Sequence, residues 1–441
     1  MAPSAVRREL SVRVSVRDAF HTLYLKQPWV LWQTSSGERG TGESILAVGE
    51  PVELELGSEL RSLRAQVGPQ VGVEAPEGVP LGFVGAIAYD VASETMGIDV
   101  VGDGSRAASR GMWVARSLQW LASGEVLAWG IEGDSGFEEW VSRTETALAT
   151  AVAAGAAREA SAGGAKWRDD TVHYSQMITD ALGAIREGEV YQICLTTEAQ
   201  VETDIADWEL HERLISHSPT HHQALLRLGD YSLVSASPET FLTISAEGLV
   251  RTRPIKGTRP RGASPEDDEA LARELVESDK ERAENLMIVD LMRNDLQRVC
   301  ETGSVNVSGL FDVETYSSVH QLVSTVEGQL RDDCDGVDAL MACFPAGSMT
   351  GAPKHRAVTL LAQYESAPRG IYSGIWGWWR LDGSMEWAMT IRSAVFHAGT
   401  ISIGVGGGIT ASSVREQEIS EVGHKARRLL EALGAPSDQY S

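Results

Sequence analysis

Long apolar runs, closely spaced cysteines and an excess of basic charge are all missing from this sequence, and each absence excludes a class of protein. The 441 residues include four cysteines, and no two of them have the CxxC spacing of a zinc or redox site. The 38 lysines and arginines are outnumbered by 62 aspartates and glutamates, which gives a net charge of −24. Because nucleic acids and anionic membranes attract basic surfaces, neither is an expected partner.

The apolar residues are spread along the chain rather than gathered in one segment. No run approaches the roughly 20 residues needed to cross a bilayer, and the first residues lack the apolar stretch of a signal peptide. Widely spaced cysteines suit a reducing compartment. We therefore expect a soluble, cytoplasmic protein, and a hydrophobic content of 43% is enough for a large core.

An alanine- and glycine-rich stretch at residues 149–166 divides the chain, because it offers few large side chains to bury. We place a boundary there, which predicts an N-terminal domain of residues 1–166 and a second domain of residues 167–435. Strand-like and helix-like segments follow one another without regular βαβ alternation, so we predict an α+β fold. The longest predicted helix spans residues 265–300, and another begins at about residue 414.

Glu281 and Glu284 form the first of two ExxE pairs. With Ile288 and Leu291 they lie along one side of a predicted helix, so the two carboxylates extend an otherwise apolar stripe. Carboxylates near a buried helix face need a cation or a shared proton. The alternative is a solvated face at the start of the helix.

Glu418 and Glu421 repeat this spacing on the helix expected from about residue 414. Ser413 and Glu416 have the spacing of a capping box at the start of that helix. Oxygen ligands without His or Cys suit Mg²⁺, Mn²⁺ or Ca²⁺, so two such pairs predict a hard-cation site if they face each other. The alternative for the second pair is an ordinary salt bridge between Glu421 and Lys425.

Two glycine-rich segments are candidate ligand-binding loops. The segment "GVGGGIT", residues 404–410, has three consecutive glycines that let the backbone approach a ligand and present N–H groups to an anion. A tight strand-to-helix turn is the alternative. The segment "FPAGSMTGAPK", residues 344–354, combines glycines with hydroxyls but lacks the GxxxxGK[ST] order of a P-loop.

Lys256 stands in "RTRPIKGTRPRG", residues 251–262, where four arginines surround one amine in an acidic chain. The arginines are Arg251, Arg253, Arg259 and Arg261. A lysine is a nucleophile only as the free amine, which burial and nearby cations both favour. The arginines could supply those cations, and the two prolines could hold the loop rigid. The alternative is a solvated lysine in a turn.

Seven ordered segments together resemble the chorismate-utilising enzymes. The segments are "SPETF", "RPIKGTRPRG", "KERAENLMIVDLMRNDLQRVC", "FPAGSMTGAPK", "RGIYSGIWGW", "TIRSAVF" and "GGGITAS". The resemblance is strong over about residues 170–430 and weaker over residues 1–150. This family includes anthranilate synthase component I, isochorismate and salicylate synthases, and aminodeoxychorismate synthase component I. It implies an anthranilate synthase component I-like fold, in which mixed and antiparallel sheets pack together with surrounding helices.

Two positions discriminate within this family. Isochorismate and salicylate synthases carry a lysine base where this chain has Gln192, so the resemblance implies ammonia rather than water as the nucleophile. Anthranilate synthases usually have alanine where Lys256 stands, and "PIKGT" resembles the aminodeoxychorismate synthases. The resemblance to that branch implies that the lysine attacks ring carbon 2 of chorismate as the 4-hydroxyl leaves. Ammonia then attacks carbon 4 and expels the lysine.

The resemblance also implies roles for the residues around the ring. Glu239, in "SPETF", matches the general acid that protonates the departing hydroxyl, and His320 matches a histidine beside the reacting ring. The residues that match the substrate-binding groups are Gly257, Thr258, Ser348, Tyr372, Arg392, Gly406, Gly407, Gly408 and Lys425. They imply a local basic pocket for a dianionic substrate within an acidic chain.

The cofactor and partners are implied by the same resemblance. Glu284 and Glu421 match direct Mg²⁺ ligands, and Glu281 and Glu418 match partners that act largely through water. No G-x-C-x-G glutaminase motif with a downstream histidine occurs in the sequence. We therefore expect a separate glutamine amidotransferase subunit to supply ammonia, and free ammonium salts to replace it in vitro. Tryptophan binding in the N-terminal domain, as in some relatives, stays open.

The expected activity is the Mg²⁺-dependent amination of chorismate at carbon 4, giving 4-amino-4-deoxychorismate. This product would feed 4-aminobenzoate and folate synthesis or a related specialised pathway. Two alternatives stay open: an anthranilate synthase component I, and a non-catalytic paralogue that binds chorismate or tryptophan. The presence of Lys256, Glu239 and both ExxE pairs argues against the non-catalytic alternative.

Overall fold

The computed structural model describes residues 4–35, 42–100, 108–153, 155, 162–217, 219–316, 319–435 and 440. The strands are β1 (Ala5–Glu9), β2 (Trp29–Thr34), β3 (Ser44–Glu53), β4 (Gly82–Ile87), β5 (Arg110–Trp120), β6 (Val126–Ile131), β7 (Lys166–Trp167), β8 (Gln192–Val201), β9 (His222–Leu228), β10 (Tyr231–Ser237), β11 (Thr240–Ile244), β12 (Leu249–Thr252), β13 (Ile255–Pro260), β14 (Asn306–Thr315), β15 (Val319–Gln329), β16 (Gly351–Ala352), β17 (Ile375–Arg380), β18 (Met385–Met389), β19 (Ser393–His397) and β20 (Thr400–Thr410).

The helices surround these strands. They are α1 (Val16–Leu23), α2 (Glu59–Val67), α3 (Ala92–Met96), α4 (Phe137–Ala149), α5 (Thr171–Arg186), α6 (Asp207–His217), α7 (Pro265–Glu277), α8 (Asp279–Gln297), α9 (Gly336–Cys343), α10 (Lys354–Tyr364) and α11 (Arg415–Leu433), with 3₁₀ turns at Gly68–Gln70, Tyr89–Val91 and Gly347–Met349. Over the described ranges, none of the helices combines the length and the apolar composition that crossing a bilayer requires.

The strands pair antiparallel in two branches that meet at β5. One branch runs β6–β5–β3–β2–β9–β10–β19–β20–β8, with β1 added on β6. The other branch runs β5–β4–β17–β18–β11–β12–β15, and β13 and β14 also pair with β15. Strand β5 joins both branches because residues 110–114 pair with β4 and residues 116–120 pair with β6. The predicted α+β class is confirmed.

Two buried tryptophans of β17 connect the branches. The indole N–H of Trp376 donates to Ser235 Oγ on β10 at 3.0 Å, and that of Trp378 donates to Gln33 Oε1 on β2 at 2.8 Å. Each bond satisfies the polar edge of a ring whose remaining surface is buried among apolar side chains. The core between the branches therefore combines apolar packing with specific hydrogen bonds.

The strands on the two sides of residue 166 pair directly with each other. Strand β2 pairs with β9, and β4 pairs with β17. Part of the predicted linker, residues 154 and 156–161, lies outside the described residues. The division into domains at residue 166 stays a prediction.

The segment predicted as one helix over residues 265–300 forms two helices. Helix α7 ends at Glu277, and Ser278 leaves the helical conformation with φ −68° and ψ 107°. The Ser278 side chain then accepts a hydrogen bond from the Glu281 N–H and caps α8. The prediction of one helix was wrong because the helical pattern continues across a capping residue. This cap places Glu281 and Glu284 at the start of α8.

The capping box predicted at Ser413 and Glu416 was also wrong. Helix α11 begins two residues after Ser413, and its N-cap residue makes no side-chain capping bond. Ser413 Oγ instead accepts a hydrogen bond from the Thr410 N–H at 3.0 Å and bonds to the carboxylate of Glu418. Ser413 therefore connects the end of β20 to a candidate metal ligand.

The glycine run of residues 404–410 lies within strand β20 and does not form a turn. It pairs with β8 through Thr410, which lies opposite Gln192. A Cβ atom on Gly404 would lie only 2.0 Å from Cγ of Tyr372, so the aromatic ring packs directly on the glycine backbone. We expected the glycines to let a ligand approach the backbone. At Gly404 the group that approaches the backbone is the Tyr372 side chain.

A β-bulge in β13 determines where Lys256 lies. Ile255 pairs with Val323, but Thr258 pairs with Gln321, so β13 has one residue more than β15 over this interval. The additional residue changes the direction of the side chains in the bulge. Lys256 therefore belongs to a distorted strand and not to the solvated turn considered above.

Replacing Gly257 with alanine tests this bulge. Gly257 has φ +80°, and a Cβ there would lie 2.7 Å from Leu275 Cδ1 and 2.9 Å from Glu281 Cδ. We expect G257A to lower the free energy of unfolding by about 1–3 kcal/mol, as measured by urea denaturation. Gly303→Ala is the matched control, because Gly303 has φ +84° but no atom within 4 Å of its Cβ position. Equal losses in the two variants would contradict the tight contact.

Candidate active site

A cavity of about 470 Å³ lies where β13, α8, β20 and α11 converge. Every residue that the sequence analysis placed in the site lines this cavity except Gln192, His320 and Gly407. The lining residues from that set are Glu239, Lys256, Gly257, Thr258, Glu281, Glu284, Ser348, Tyr372, Arg392, Gly406, Gly408, Glu418, Glu421 and Lys425. The fold thus brings together segments that are nearly 190 residues apart in the chain.

Gln192 and Gly407 do not line the cavity. The Gln192 side chain is buried, and its Nε2 lies 2.8 Å from where a Cβ on Gly408 would be. Within the part of the chain that the structure describes, neither Nε2 nor Oε1 of Gln192 has a hydrogen-bond partner. A buried amide without partners is unfavourable, so this side chain retains the capacity to bind a polar group at the glycine strand.

His320 lies outside the cavity, between two hydrogen-bond partners. Its Nε2 is 2.8 Å from Asp268 Oδ1, and its Nδ1 is 2.9 Å from Thr315 Oγ1. The next residue, Gln321, lines the cavity, because successive side chains of β15 point to opposite faces. The sequence analysis missed Gln321, which the alternation along β15 could have revealed. The role matched to His320 stays a prediction.

Two cations line the cavity without a partner. Among the described residues, neither the Lys256 amine nor the Arg392 guanidinium makes a hydrogen bond or an ion pair. Arg392 is exposed at the surface, and nearby protein together with the like charge of Arg428 shifts its pKa downward. Arg392 also has φ +50°, a strained conformation for a residue with a side chain. Positive charges held in this way favour the binding of an anion.

The four arginines around Lys256 have other partners. Each of them is paired with a carboxylate, and none of them lines the cavity. The pairs are Arg251–Glu327, Arg253–Glu314, Arg259–Glu274 and Arg261–Asp268. The expectation that these arginines supply the cations beside Lys256 was wrong, because acidic partners neutralise them. Arg392, Lys280 and Lys425 are the other cations that line the cavity.

Glu239 lies between β10 and β11 and is almost fully buried. Burial raises the pKa of its carboxyl to about 7, although the charge of Lys256 and hydrogen bonds from Ser348 and the Ile255 N–H lower it in part. A carboxyl that titrates near neutral pH can donate a proton under physiological conditions. Glu239 therefore has the protonation behaviour that a general acid requires.

The two ExxE pairs line the cavity from different helices, α8 and α11. Burial, together with the charges of Glu281 and Glu421, raises the pKa of Glu284, and burial also raises the pKa of Glu418. These carboxylates therefore lie in a region that would gain from an added cation. Glu421 is bonded to Lys425 at 2.7 Å, so the salt bridge considered above is present.

The donor set of these glutamates fits a magnesium ion. Over the described ranges, no three His, Cys, Asp or Glu side chains are close enough to form a complete metal cage. Mg²⁺ rarely uses such a cage, because it typically binds one or two carboxylates and completes its shell with water and ligand oxygens. Glu284 and Glu421 could supply those carboxylates from the two helices, with Glu281 and Glu418 nearby.

The chain is similar in sequence to a known protein family and to characterised proteins. A family model described as chorismate binding enzyme matches residues 31–431. The chain is 46% identical over 266 residues to an aminodeoxychorismate synthase of Streptomyces griseus, covering 60% of this chain and 37% of that protein. It is 40% identical over 268 residues to anthranilate synthase component 1 of Mycolicibacterium smegmatis, covering 59% of this chain and 51% of that protein. The chain thus spans about a third to a half of the length of these relatives.

A solved structure confirms the predicted fold. The anthranilate synthase component I of Streptococcus pneumoniae TIGR4 superposes with a TM-score of 0.79 at 24% identity. The match covers 96% of this chain and 99% of the other. The antiparallel sheets with surrounding helices are therefore the fold of anthranilate synthase component I.

Glu239→Gln tests the raised pKa of Glu239. Because the pKa in the folded state is about 7 and the ordinary value is 4.5, the protonated carboxyl stabilises the fold below pH 4.5, and this contribution disappears as the pH rises through 7. Between pH 4.5 and about pH 8, we expect the parent to lose about 3 kcal/mol of unfolding free energy relative to E239Q. Urea unfolding without divalent metal measures this difference.

The control for this titration is Glu55→Gln, because Glu55 is exposed between β3 and α2. This substitution should leave the pH dependence of the unfolding free energy unchanged. If the parent and E239Q followed the same pH dependence, Glu239 would have an ordinary pKa, and its suitability as an acid near neutral pH would be lost.

Proposed function

This chain belongs to the family of chorismate binding enzymes, and on that premise we propose that it aminates chorismate at carbon 4 to give 4-amino-4-deoxychorismate. The observation that carries the proposal is the composition of the cavity. Two unpartnered cations, Lys256 and Arg392, line it together with Glu239, whose carboxyl has a pKa of about 7. A dianionic substrate with a hydroxyl leaving group requires positive charge and a proton donor in one place.

Binding of the dianion would use the cationic and backbone groups of the cavity. Arg392 is suited to one carboxylate, because a guanidinium donates two parallel hydrogen bonds. Lys425 lines the cavity and donates to the Gly406 carbonyl at 2.8 Å, which holds its charge beside β20. Mg²⁺ held by Glu284 and Glu421 would supply positive charge to the ring carboxylate.

The first chemical step would use Lys256 and Glu239 together. Lys256 first releases its ammonium proton to solvent. The free amine then forms a bond to ring carbon 2, both ring double bonds shift by one position towards carbon 4, and the bond between carbon 4 and its hydroxyl breaks. Glu239 gives its proton to the departing hydroxyl, which leaves as water. The proximity of the two side chains supports this pairing, since the charge of Lys256 acts on the pKa of Glu239.

The second step would reverse the shift. Ammonia forms a bond to carbon 4, both double bonds return to their original positions, and the bond between carbon 2 and Lys256 breaks to restore the free amine. The proton that the new ammonium group loses returns to Glu239, so the side chains are restored. The balance is chorismate plus ammonia giving the amino product and water. The relatives named aminodeoxychorismate synthase support this reaction, and a glutamine amidotransferase is the proposed source of ammonia.

A product assay tests this proposal. The protein is incubated with chorismate, MgCl₂ and ammonium chloride, and the products are analysed by mass spectrometry. We expect 4-amino-4-deoxychorismate without pyruvate, because the proposed steps leave the side chain of the ring intact. An anthranilate synthase would release pyruvate and a fluorescent aromatic product, and this result would replace our proposal by the alternative that the 40% identical relative represents.

The role of Lys256 is tested in the same assay. Lys256→Ala should slow amination strongly, whereas Lys280→Ala, which removes another lysine at the cavity, should retain the product and its position. If K256A behaved like the parent, the covalent step would be wrong even with the overall reaction right.

Arg392→Gln tests the binding of the dianion. A charge-assisted hydrogen bond contributes about 1.5–3 kcal/mol, so we expect R392Q to lower kcat/KM for chorismate by roughly 10- to 150-fold. Steady-state kinetics at saturating ammonium measures this loss. Arg273→Gln is the control, because Arg273 is exposed on α7 away from this cavity. A parent-like kcat/KM in R392Q would remove Arg392 from the binding site.

A further inference from the structure

A buried ion pair lies between helix α10 and strand β17. Arg369 is only 3% exposed, and its guanidinium donates two hydrogen bonds to the carboxylate of Glu365, at 2.7 and 2.8 Å. Two such parallel bonds fix the orientation of a guanidinium as well as its position. Neither residue is among those that line the cavity of the candidate active site. Any influence of Arg369 on the site therefore passes through the residues that it holds.

The remaining bonds of Arg369 hold three segments together. Nη1 donates to the Met349 carbonyl at 2.7 Å and to the Ser373 hydroxyl at 3.4 Å. Nη2 donates to the Cys194 carbonyl at 2.8 Å. Met349 and Cys194 line the cavity. One buried side chain thus connects the 3₁₀ turn Gly347–Met349, strand β8 and the segment before β17.

Two further contacts restrain the ion pair. Oε1 of Glu365 accepts hydrogen bonds from the N–H and the hydroxyl of Thr196 in β8, each at 2.9 Å. Cζ of Arg369 lies 4.3 Å from the centre of the Tyr89 ring, within the range of a cation–π contact. The guanidinium is therefore fixed by a carboxylate and two carbonyls, and it packs on an aromatic ring.

The turn Gly347–Met349 also carries a hydroxyl that contacts the candidate acid. Ser348 is the middle residue of this turn, and its side chain hydrogen-bonds to the carboxyl of Glu239. Both side chains line the cavity. Because the carbonyl that Arg369 holds belongs to the residue next to Ser348, a displacement of that carbonyl would displace the hydroxyl as well.

The other groups that act on Glu239 do not contact Arg369. Burial raises the pKa of Glu239, the charges of Lys256 on β13 and Lys425 on α11 lower it in part, and the Ile255 N–H bonds to the carboxyl. The hydrogen bonds of Arg369 reach none of these groups. Within the described part of the chain, the hydroxyl of the turn is thus the contact that connects the ion pair to the acid.

We propose that Arg369 is a positioning residue for the candidate acid Glu239, because it fixes the turn whose Ser348 hydroxyl bonds to that carboxyl. The inference rests on the proposed function, in which Glu239 is the proton donor. A general acid must hold one position relative to the departing hydroxyl, and a hydrogen bond from a fixed turn supplies this restraint. Glu365 orients the guanidinium for this task.

Arg369→Lys tests this role, because lysine keeps the charge beside Glu365 but lacks the rigid fork that reaches several acceptors at once. The hydrogen bond from Ser348 opposes the effect of burial on the pKa of Glu239, so weakening it should raise this pKa by about 0.5–1. Infrared difference spectra against the matching E239Q variant, recorded over a pH series without substrate or divalent metal, measure the titration. An unchanged pKa in folded R369K would overturn the proposal.

Ser348→Ala shows whether the effect passes through the turn. S348A alone should raise the pKa of Glu239 by a similar amount. Adding R369K to S348A should then produce no further rise, because both substitutions act on one hydrogen bond. Additive shifts in the double variant would contradict the proposal, since Arg369 would then act on the acid by another route.

Arg227→Lys is the matched control. Arg227 also donates two hydrogen bonds to one carboxylate, that of Asp207, both at 2.7 Å, and a third to the Leu25 carbonyl at 2.7 Å. Neither Arg227 nor Asp207 lines the cavity. Both lysine variants should unfold at a lower temperature, but only R369K should change the titration of Glu239. A lower unfolding temperature with the parent's titration in R369K would leave Arg369 a structural role alone.

Glu365→Asp is a second variant in case R369K does not fold. It keeps both charges but shortens the side chain that orients the guanidinium, so the pKa of Glu239 should rise here too. Circular dichroism and thermal unfolding establish that each variant is folded. A folded E365D variant with the parent's titration would also count against the proposal.

The titration requires no turnover, so it separates this inference from the proposed function. If the parent forms no amino product but R369K raises the pKa of Glu239 through Ser348, the positioning stands and the amination is wrong. If the parent aminates chorismate but R369K titrates as the parent does, the amination stands and the positioning is wrong.

Discussion

The uncompensated positive charge of Lys256 and Arg392 is the constraint on which the rest of the site depends. The chain has 62 acidic side chains. Two cations can stay without a partner only if the carboxylates near them are paired with other cations. The structure meets this requirement by pairing the surrounding arginines with their own carboxylates and by giving Glu421 to Lys425. The cavity then retains positive charge for a dianion, although the chain as a whole is strongly acidic.

The backbone, rather than the charge, determines where these groups lie. The bulge of β13 directs Lys256 into the cavity, and the N–H of Ile255 in the same strand bonds to Glu239. On the opposite side, the glycines of β20 permit the Tyr372 ring and the helix α11 to approach the strand closely. Acid and amine are therefore positioned by one distorted strand, which explains how burial and charge can act on the same carboxyl.

Much of the site was predictable because its chemistry is local in the sequence. The ExxE pairs, Lys256 and Glu239 stand in recognisable segments, and the cavity brings them together as expected. The remaining features depend on contacts between distant segments. Local patterns could not show that carboxylates far along the chain neutralise the arginines, or that Ser278 interrupts a helix. Successive side chains of β15 point to opposite faces of the sheet, and which face meets the cavity, that of Gln321 or that of His320, depends on how the distant helices pack.

The most direct measurement is a crystal structure of the Glu239→Gln variant with chorismate and Mg²⁺, since this substitution should prevent turnover while preserving shape. The account predicts that the Lys256 amine lies within about 3.5 Å of ring carbon 2. It also predicts that the 4-hydroxyl faces the side chain at position 239, and that a carboxylate of the substrate lies on Arg392. A ring bound outside this cavity, or turned so that carbon 2 faces away from Lys256, would contradict the account.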